Sequence, residues 1–186
     1  MLSACGDDEP KITEPATAVI VGDSLLYQSS ADVQRELDQR GWKHAIYGIP
    51  GAGIVGGYSV VRWADRLREL VRASKPDIVV IELGTNGCAG CTSLDDAIDA
   101  IVKPLRSVER VYWVNVREDA PVPSDPKALN DALERAKDRF DNLRIIDMND
   151  DFDDHPGWII EDGIHFSDAG EREFAKMLAE KFPDQT

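Results

Sequence analysis

Ser24 and His165 lie far apart in the sequence, but their neighbours suit nucleophilic catalysis. Ser24 closes the triplet Gly22-Asp23-Ser24, directly after a short apolar run. A serine hydroxyl is a weak nucleophile until an adjacent base takes its proton. His165 has an aspartate, Asp162, three residues before it, and such a carboxylate fixes the tautomer of an imidazole and stabilises the imidazolium. The sequence therefore predicts Ser24 as nucleophile, His165 as its base and Asp162 as the partner of that base.

The other two histidines are weaker candidates for the base. His44 stands at the start of a predicted strand, at the edge of the sheet away from Ser24. His155 lies in a polar, aspartate-rich segment, where we expect it to be solvated. His165 alone combines an aspartate partner with a position just before the last predicted helix.

Acyl transfer also needs hydrogen-bond donors for the oxyanion that develops on the substrate. Asn86 comes shortly after an apolar run, and its side-chain amide can donate. A second donor is the backbone N–H of Gly51 or Gly53, because a glycine lets the chain approach a reacting carbonyl closely. The N–H of Ser24 is the third. The alternative for Asn86 and for both glycines is an ordinary turn.

Short apolar runs alternate with amphipathic stretches, and this predicts the elements that position these residues. The runs are typical of strands buried on both faces of a parallel sheet, and they occupy residues 16–21, 45–49, 78–83, 111–116 and 143–146. Helical patterns occupy residues 30–40 with Ser30 as cap, 58–74, 93–101 with Ser93 and Asp96 as a capping box, 129–140, and a last stretch from 167 or 168. We expect an α/β fold, a three-layer α/β/α sandwich with about five parallel strands.

In such a sheet, ligands bind beyond the carboxyl ends of the strands. Ser24, Gly51 and Asn86 each come just after a predicted strand, and Asp162 lies in the last loop. The candidate residues are therefore expected to meet at one edge of the sheet.

Composition narrows the class of protein. The chain has 186 residues, of which 42% are apolar and 30% charged, which suits a single globular domain over residues 16–186. No stretch approaches the roughly 20 apolar residues that a membrane-spanning helix needs. The formal net charge is −14, so we expect no binding to nucleic acid, a polyanion.

The first 15 residues are predicted to be a flexible tether. Leu2-Ser3-Ala4-Cys5 resembles a bacterial lipobox, in which the cysteine is lipidated, although the apolar segment that precedes a lipobox is not present here. This interpretation predicts an extracytoplasmic protein anchored to the cell surface through Cys5. The alternative is an accidental match in an irregular terminus.

Cys88 and Cys91 form a CxxC motif directly after Asn86. Such a motif is found in redox sites, in half of a zinc site and in small structural disulfides. The sequence has no second CxxC motif, so we expect no metal. An extracytoplasmic setting favours a disulfide between the two cysteines.

Taken together, four blocks of this sequence resemble the SGNH (GDSL-type) serine hydrolases. The blocks are the triplet 22–24, Gly51, the triplet 84–86 and Asp162-Gly163-Ile164-His165, and the resemblance covers about residues 17–181. It implies a flavodoxin-like fold, with Ser24 as nucleophile and Asp162 and His165 as its partners. It also implies oxyanion donors at Ser24, Gly51 and Asn86, and it implies no metal or organic cofactor.

A closer resemblance is to SGNH domains that accompany bacterial surface-polysaccharide acyltransferases. The segments 111–117 and 155–158 look similar to that group. Within them, Arg117 either holds an anionic substrate group or forms a salt bridge, and Trp158 either lines the acyl pocket or packs.

The resemblance implies a serine esterase acting on short-chain O-acyl esters of a small molecule or a glycan. An acyltransferase passing an acetyl group to a cell-surface glycan is the alternative within the same chemistry, and it would need a membrane acyltransferase partner. A lysophospholipase or thioesterase is less favoured, because the residues that flank Ser24 do not indicate a long acyl groove. A different class is a catalytically silent, surface-anchored binding domain.

Overall fold

The computed structural model describes residues 17–57, 61–122 and 124–184. Cys5 and the predicted tether lie outside these residues. Five parallel strands form one sheet in the order β2-β1-β3-β4-β5; they are β1 (Ala18–Gly22), β2 (His44–Gly48), β3 (Ile78–Glu82), β4 (Arg110–Val114) and β5 (Leu143–Ile146). The prediction of an α/β fold with about five parallel strands is confirmed.

Six α-helices of the described residues cover the two faces of this sheet. They are α1 (Ser24–Gln39), α2 (Trp63–Ser74), α3 (Leu94–Val102), α4 (Pro126–Lys137), α5 (Met148–Asp153) and α6 (Asp168–Ala179), with 3-10 turns at Lys103–Leu105 and Pro156–Trp158. No helix among the described residues is both long and apolar enough to cross a bilayer.

Two hydrophobic cores, one on each face of the sheet, make the three layers. Successive side chains of a strand point to opposite faces. In β1, Val19 and Val21 belong to the core under α2, α3 and α4, whereas Ala18 and Ile20 belong to the core under α1 and α6. This explains why β1 and β3 are buried along their whole length and why their sequences are almost continuously apolar.

Strand order determines where a site can form. From β1 the chain goes to β2 on one side, while β3 pairs with the other side of β1. The carboxyl end of β1 is therefore the point where the strand order reverses, which is where open α/β sheets bind ligands. Ser24 comes two residues after Gly22, the last residue of β1.

The predicted start of the first helix at Ser30 is wrong. Helix α1 begins six residues earlier, at Ser24, with Asp23 as its N-cap. Asp23 Oδ1 accepts the N–H of Leu25 at 3.0 Å, whereas the Ser30 hydroxyl donates to the carbonyl of Tyr27 within the helix. A buried carboxylate from the preceding turn therefore caps this helix.

The other boundaries differ less from the predictions. The second helix begins at Trp63, and residues 58–60 of its predicted range are outside the described part of the chain. Ser93 caps α3 as predicted, accepting the N–H of Asp96 at 3.3 Å. The fourth helix ends at Lys137, three residues before Phe140. The sequence did not predict α5, a short helix capped by Asp147.

Candidate active site

Ser24 is the first residue of α1 and lies half-buried at the carboxyl edge of the sheet. The first N–H groups of a helix have no acceptor within it. Here Leu25 N–H donates to Asp23 Oδ1 and Leu26 N–H donates to Glu82 Oε2. The N–H of Ser24 has no acceptor among the described residues, so it is free to donate to a ligand at the positive end of the helix.

The structure brings His165 to Ser24 across 141 positions of sequence, with His165 Nε2 at 3.0 Å from Ser24 Oγ. His165 lies in the loop between the 3-10 turn at Pro156–Trp158 and α6. Asp162 Oδ2 is 2.7 Å from His165 Nδ1 on the far side of the ring. The three predicted side chains therefore form one hydrogen-bonded chain, with a spacing that suits general-base activation of a hydroxyl.

Asp162 fixes both the loop and the imidazole ring. Its Oδ1 accepts the backbone N–H groups of Ile164 at 2.8 Å and His165 at 2.9 Å. Partial desolvation acts to raise the pKa of Asp162, but the hydrogen bonds from His165 and Ile164 outweigh it and lower that pKa. An ionised Asp162 holds the ring proton on Nδ1, and this leaves His165 Nε2 as the acceptor that faces Ser24.

Arg117 also stabilises the loop that carries Asp162 and His165. The residue is 8% exposed, and Nη1 donates to the carbonyl of Gly163 at 3.2 Å. Nη2 makes a two-oxygen contact with Asp119 at 2.6 and 2.7 Å. Gly163 has a φ of +73°, and a Cβ there would lie 2.9 Å from Pro121 Cδ. Of the two interpretations given for Arg117, the structure agrees with the salt bridge.

Gly51 and Gly53 lie in the loop after β2 and differ in their hydrogen bonding. The N–H of Gly53 donates to the carbonyl of Gly56 at 3.0 Å. The N–H of Gly51, at a φ of +76°, has no acceptor in the described part of the chain. A Cβ on Gly53 would lie 2.8 Å from the carbonyl oxygen of Gly87. Gly53 therefore permits close packing of the two loops, and Gly51 keeps an N–H available.

Asn86 lies between the nucleophile turn and the glycine loop. Its Nδ2 donates to Asp23 Oδ2 at 2.9 Å and to the carbonyl of Ala52 at 3.2 Å. Both amide hydrogens thus have acceptors. For Asn86 to donate to an oxyanion, it must exchange the longer bond, the one to Ala52, for a bond to the ligand.

Comparison with known proteins identifies the family of this chain. Residues 20–173 match the GDSL-like Lipase/Acylhydrolase family. The chain belongs to this family. The resemblance seen in the four sequence blocks is confirmed, and so is the prediction of an SGNH-type ester hydrolase.

Its relatives include O-acetyltransferases. The chain is 28% identical over 164 residues to the O-acetyltransferase OatA of Staphylococcus aureus (strain NCTC 8325 / PS 47), covering 88% of this chain and 24% of that protein. It is 35% identical over 95 residues to the putative O-acetyltransferase SAS0844 of Staphylococcus aureus (strain MSSA476), covering 50% of this chain and 14% of the relative. This chain thus matches about a quarter of the length of OatA and a smaller share of the length of SAS0844.

Solved structures share the fold. The C-terminal catalytic domain of the peptidoglycan O-acetyltransferase OatA from Streptococcus pneumoniae superposes with a TM-score of 0.65 at 19% identity, covering 89% of this chain and 92% of that one. A family 3 carbohydrate esterase from Clostridium thermocellum superposes with a TM-score of 0.64 at 17% identity, covering 90% and 94%.

Replacing Asn86 with alanine is expected to reduce kcat of this hydrolase by roughly 10²–10³, the usual cost of losing one oxyanion donor. Asn142→Ala is the matched control. The Asn142 amide also donates to two oxygen atoms, the carbonyls of Leu105 and Val108. It lies just before β5, at the end of the strands opposite to Ser24. We would measure turnover of an activated acetate ester and the melting temperature of both variants. A loss below threefold in Asn86→Ala would mean that this residue serves the turn alone.

The remaining sequence candidates lie away from Ser24. His44 begins β2, at the amino ends of the strands and away from Ser24, and its Nδ1 is 3.1 Å from the carbonyl of Trp42. His155 is exposed and stacks on Trp158 with ring centroids 3.8 Å apart. Trp158 also packs edge-on against Phe152 at 5.0 Å. Of the two interpretations of Trp158, packing agrees with the structure. No group of His, Cys, Asp and Glu among the described residues is arranged to hold a metal.

Cys88 and Cys91 are free thiols in the structure, packed against the main hydrophobic core. Burial raises the pKa of the Cys88 thiol to about 12, and its contact with the Cys91 thiol adds to the rise. Cys88 also contacts the backbone of Val55 in the glycine loop. The predicted disulfide is not formed here and stays a prediction.

In protein from an oxidising compartment, we expect Cys88 and Cys91 to be bonded. The closed loop is very small, so the bond should add little to global stability, while restraining the segment next to Asn86. Reduction, or a Cys88→Ser/Cys91→Ser variant, should therefore lower kcat more than it lowers the melting temperature. Thiol alkylation and intact mass report whether the bond exists. Two alkylated thiols without reductant, or a large fall in melting temperature with unchanged kcat, would contradict this expectation.

Glu82 is a site residue that sequence reasoning missed. It is the last residue of β3 and lies directly under the turn of Ser24, with its Oε2 accepting the N–H groups of Asp23 and Leu26. The signal was present, since a glutamate interrupts the otherwise apolar run 78–83 four residues before Asn86. A charged residue in a fully buried strand position needs partners, and these are Asp23, in the turn after β1, and Leu26 of α1.

Proposed function

We propose that this protein is a serine esterase that removes short-chain acyl groups, acetyl above all, from a carbohydrate. The observation that carries the proposal is the chain from Asp162 through His165 to Ser24, with spacings of 2.7 and 3.0 Å. This hydrogen-bonded chain ends at the first residue of α1, where the N–H of Ser24 is free to donate to a ligand. A catalytically silent binding domain would not need this arrangement.

The proposed reaction begins with attack of Ser24 Oγ on the acyl carbon while His165 Nε2 takes the hydroxyl proton. The new C–O bond places negative charge on the former carbonyl oxygen, which accepts hydrogen bonds from the N–H groups of Ser24 and Gly51 and from the Asn86 amide. His165 returns its proton to the leaving alcohol oxygen as the ester bond breaks. Water then attacks the acyl-enzyme with His165 as base, which releases the acid and restores Ser24.

Three exposed apolar side chains support an extended substrate such as a glycan. Tyr27, Val55 and Ile160 are the exposed large hydrophobic residues of the described chain, and each lies in a segment that carries a site residue. Tyr27 is one helical turn after Ser24, and the Ile160 N–H donates to the carbonyl of His165 at 2.9 Å. An aromatic ring such as that of Tyr27 can pack against the C–H face of a sugar.

The relatives and the core both support a short acyl group. The Staphylococcus aureus relatives are named O-acetyltransferases, and one structural neighbour is a carbohydrate esterase. The apolar residues next to the nucleophile, Leu25 and Leu26, are buried in the core. They therefore cannot line a groove for a long acyl chain.

Transfer of an acetyl group to a glycan hydroxyl is the second candidate, favoured by the similarity to OatA over 88% of this chain. In this reaction a sugar hydroxyl replaces water in the attack on the acyl-enzyme. A separate membrane acyltransferase would supply the acetyl group. The same proposal places the domain outside the cytoplasm, held through a lipid on Cys5.

An ester panel tests the proposed function. We would measure kcat/KM for p-nitrophenyl esters from C2 to C12 and for an O-acetylated oligosaccharide, with Ser24→Ala as background. The proposal expects a maximum at C2 and release of acetate from the oligosaccharide. Adding an unacetylated oligosaccharide separates the two candidates, since a transferase yields acetylated acceptor by mass spectrometry and a hydrolase yields free acetate. A maximum at C8 or above would contradict the short-chain substrate.

A further inference from the structure

Glu82 and Asp23 form a buried pair of carboxyl groups beneath the nucleophile. Glu82 is 2% exposed and Asp23 is fully buried. The Asp23 N–H binds the Glu82 carboxyl group, so the two carboxyl groups lie side by side, and each shifts the pKa of the other. Glu82 Oε2 also accepts the N–H groups of Asp23 at 3.0 Å and Leu26 at 3.3 Å. A glycine at position 22 makes room for the Glu82 carboxyl group, because a Cβ there would lie 2.6 Å from Glu82 Oε2.

Burial of two neighbouring carboxyl groups favours the state in which the pair holds one proton. Two ionised carboxylates are acceptors only and cannot hydrogen-bond to each other. Two like charges in contact inside a protein also repel strongly, so one of the two groups is protonated. The titratable groups that influence the pair are Glu82 and Asp23 themselves and, as the smallest effect on Asp23, the charge of His165.

The hydrogen bonds around Asp23 identify which group is neutral. Asp23 Oδ1 accepts from Leu25 N–H and Asp23 Oδ2 accepts from Asn86 Nδ2, so both of its oxygens face donors, which favours the ionised form. Burial raises the pKa of Asp23 to about 6, with these bonds and His165 opposing the rise. Burial and the charge of Asp23 raise the pKa of Glu82 well above its usual range. The donors that face both oxygens of Asp23, together with these two pKa directions, favour Glu82 as the protonated group.

We propose that Glu82 is a positioning residue: as a neutral carboxylic acid it donates to Asp23, and the Asp23 carboxylate holds the Asn86 amide in the oxyanion site. The catalytic part of this inference rests on the proposed function. Glu82 and Asp23 together take up the N–H groups of Asp23, Leu25 and Leu26. Only the N–H of Ser24 is left free in this turn, so the pair also directs that donor to the substrate.

Two substitutions separate the role of the proton from that of simple packing. Glu82→Gln keeps the shape, donates to Asp23 through its amide and accepts the two N–H groups through its oxygen. Glu82→Leu keeps a similar volume but neither donates nor accepts. We expect Glu82→Gln to retain kcat within about threefold and Glu82→Leu to lose at least about tenfold, part of the usual cost of a misplaced oxyanion donor. KM for a small acetate ester should change little in either variant.

Infrared spectroscopy reads the protonation directly and does not depend on esterase activity. The wild-type protein at pH 7 to 8 should show the carbonyl stretch of a protonated carboxylic acid, and Glu82→Gln should lack it. Glu161→Gln, an exposed acid in the last loop, is the control and should keep the band. Wild-type protein without esterase activity would contradict the proposed function while the band still tests Glu82.

Three outcomes would overturn the inference. The first is absence of the band in the wild type, and the second is its persistence in Glu82→Gln. The third is a break in the expected order of the two variants. It would be a folded Glu82→Leu protein that keeps the wild-type kcat, or a Glu82→Gln protein whose kcat falls as far as that of Glu82→Leu. Because the infrared measurement uses the wild type and the isosteric variant, it remains decisive if Glu82→Leu fails to fold.

Discussion

Replacing Ser24 or His165 with alanine is expected to remove nearly all ester turnover, a loss of roughly 10⁴–10⁶ in kcat. The two side chains act as a unit, because the hydroxyl is a useful nucleophile only while His165 Nε2 accepts its proton at 3.0 Å. The double variant should therefore be no slower than either single variant by more than about tenfold. Strict additivity of the two losses would contradict a shared proton transfer.

The fold should survive both changes. Ser24 and His165 make one side-chain hydrogen bond to each other, and a typical bond contributes about 1 kcal/mol. Matched controls are Ser30→Ala, in the same helix, and His155→Ala, in the same region of the chain. Neither control residue contacts Ser24 or His165. We would measure turnover of an activated acetate ester, with circular dichroism and melting temperature as folding controls. Retained activity in folded Ser24→Ala would refute the proposed mechanism.

The arrangement of the sheet could be predicted because its strands are buried on both faces. Residues 78–83 and 143–146 were predicted as strands from apolar content alone, and β3 and β5 lie there. The parallel topology then places every strand's carboxyl end at one edge. For this reason the sequence predicted that Ser24, Gly51 and Asn86 converge, although nothing local links them.

Tertiary contacts explain what the sequence did not predict. The start of α1 was misplaced because Asp23 gains its capping role from a buried setting that includes Glu82 of another strand. Arg117 could be assigned only as a salt bridge or an anion contact, since its bond to Gly163 spans 46 positions. Gly51 and Gly53 were equivalent in sequence, and only the bond from Gly53 to Gly56 separates them.

Asp162→Asn is expected to lower kcat by roughly 10³–10⁴ through the tautomer of His165. Asp162 Oδ1 accepts two backbone N–H groups, so the side-chain oxygen of an asparagine would be kept in that position. Its NH2 group would then face His165 Nδ1, which must become the acceptor. The ring proton would move to Nε2, and His165 could no longer accept the proton of Ser24.

The control for Asp162→Asn is Glu161→Gln, which removes the same charge one residue earlier and has no contact with the ring. Its kcat should stay within about threefold of the wild type. Asp162→Ala adds a second comparison, because it removes the carboxylate without presenting a donor to Nδ1. We expect Asp162→Ala to retain more activity than Asp162→Asn, provided that both melt near the wild-type temperature. The reverse order would show that Asp162 acts mainly by holding the loop, and an unaffected Asp162→Asn enzyme would reduce the centre to Ser24 and His165 alone.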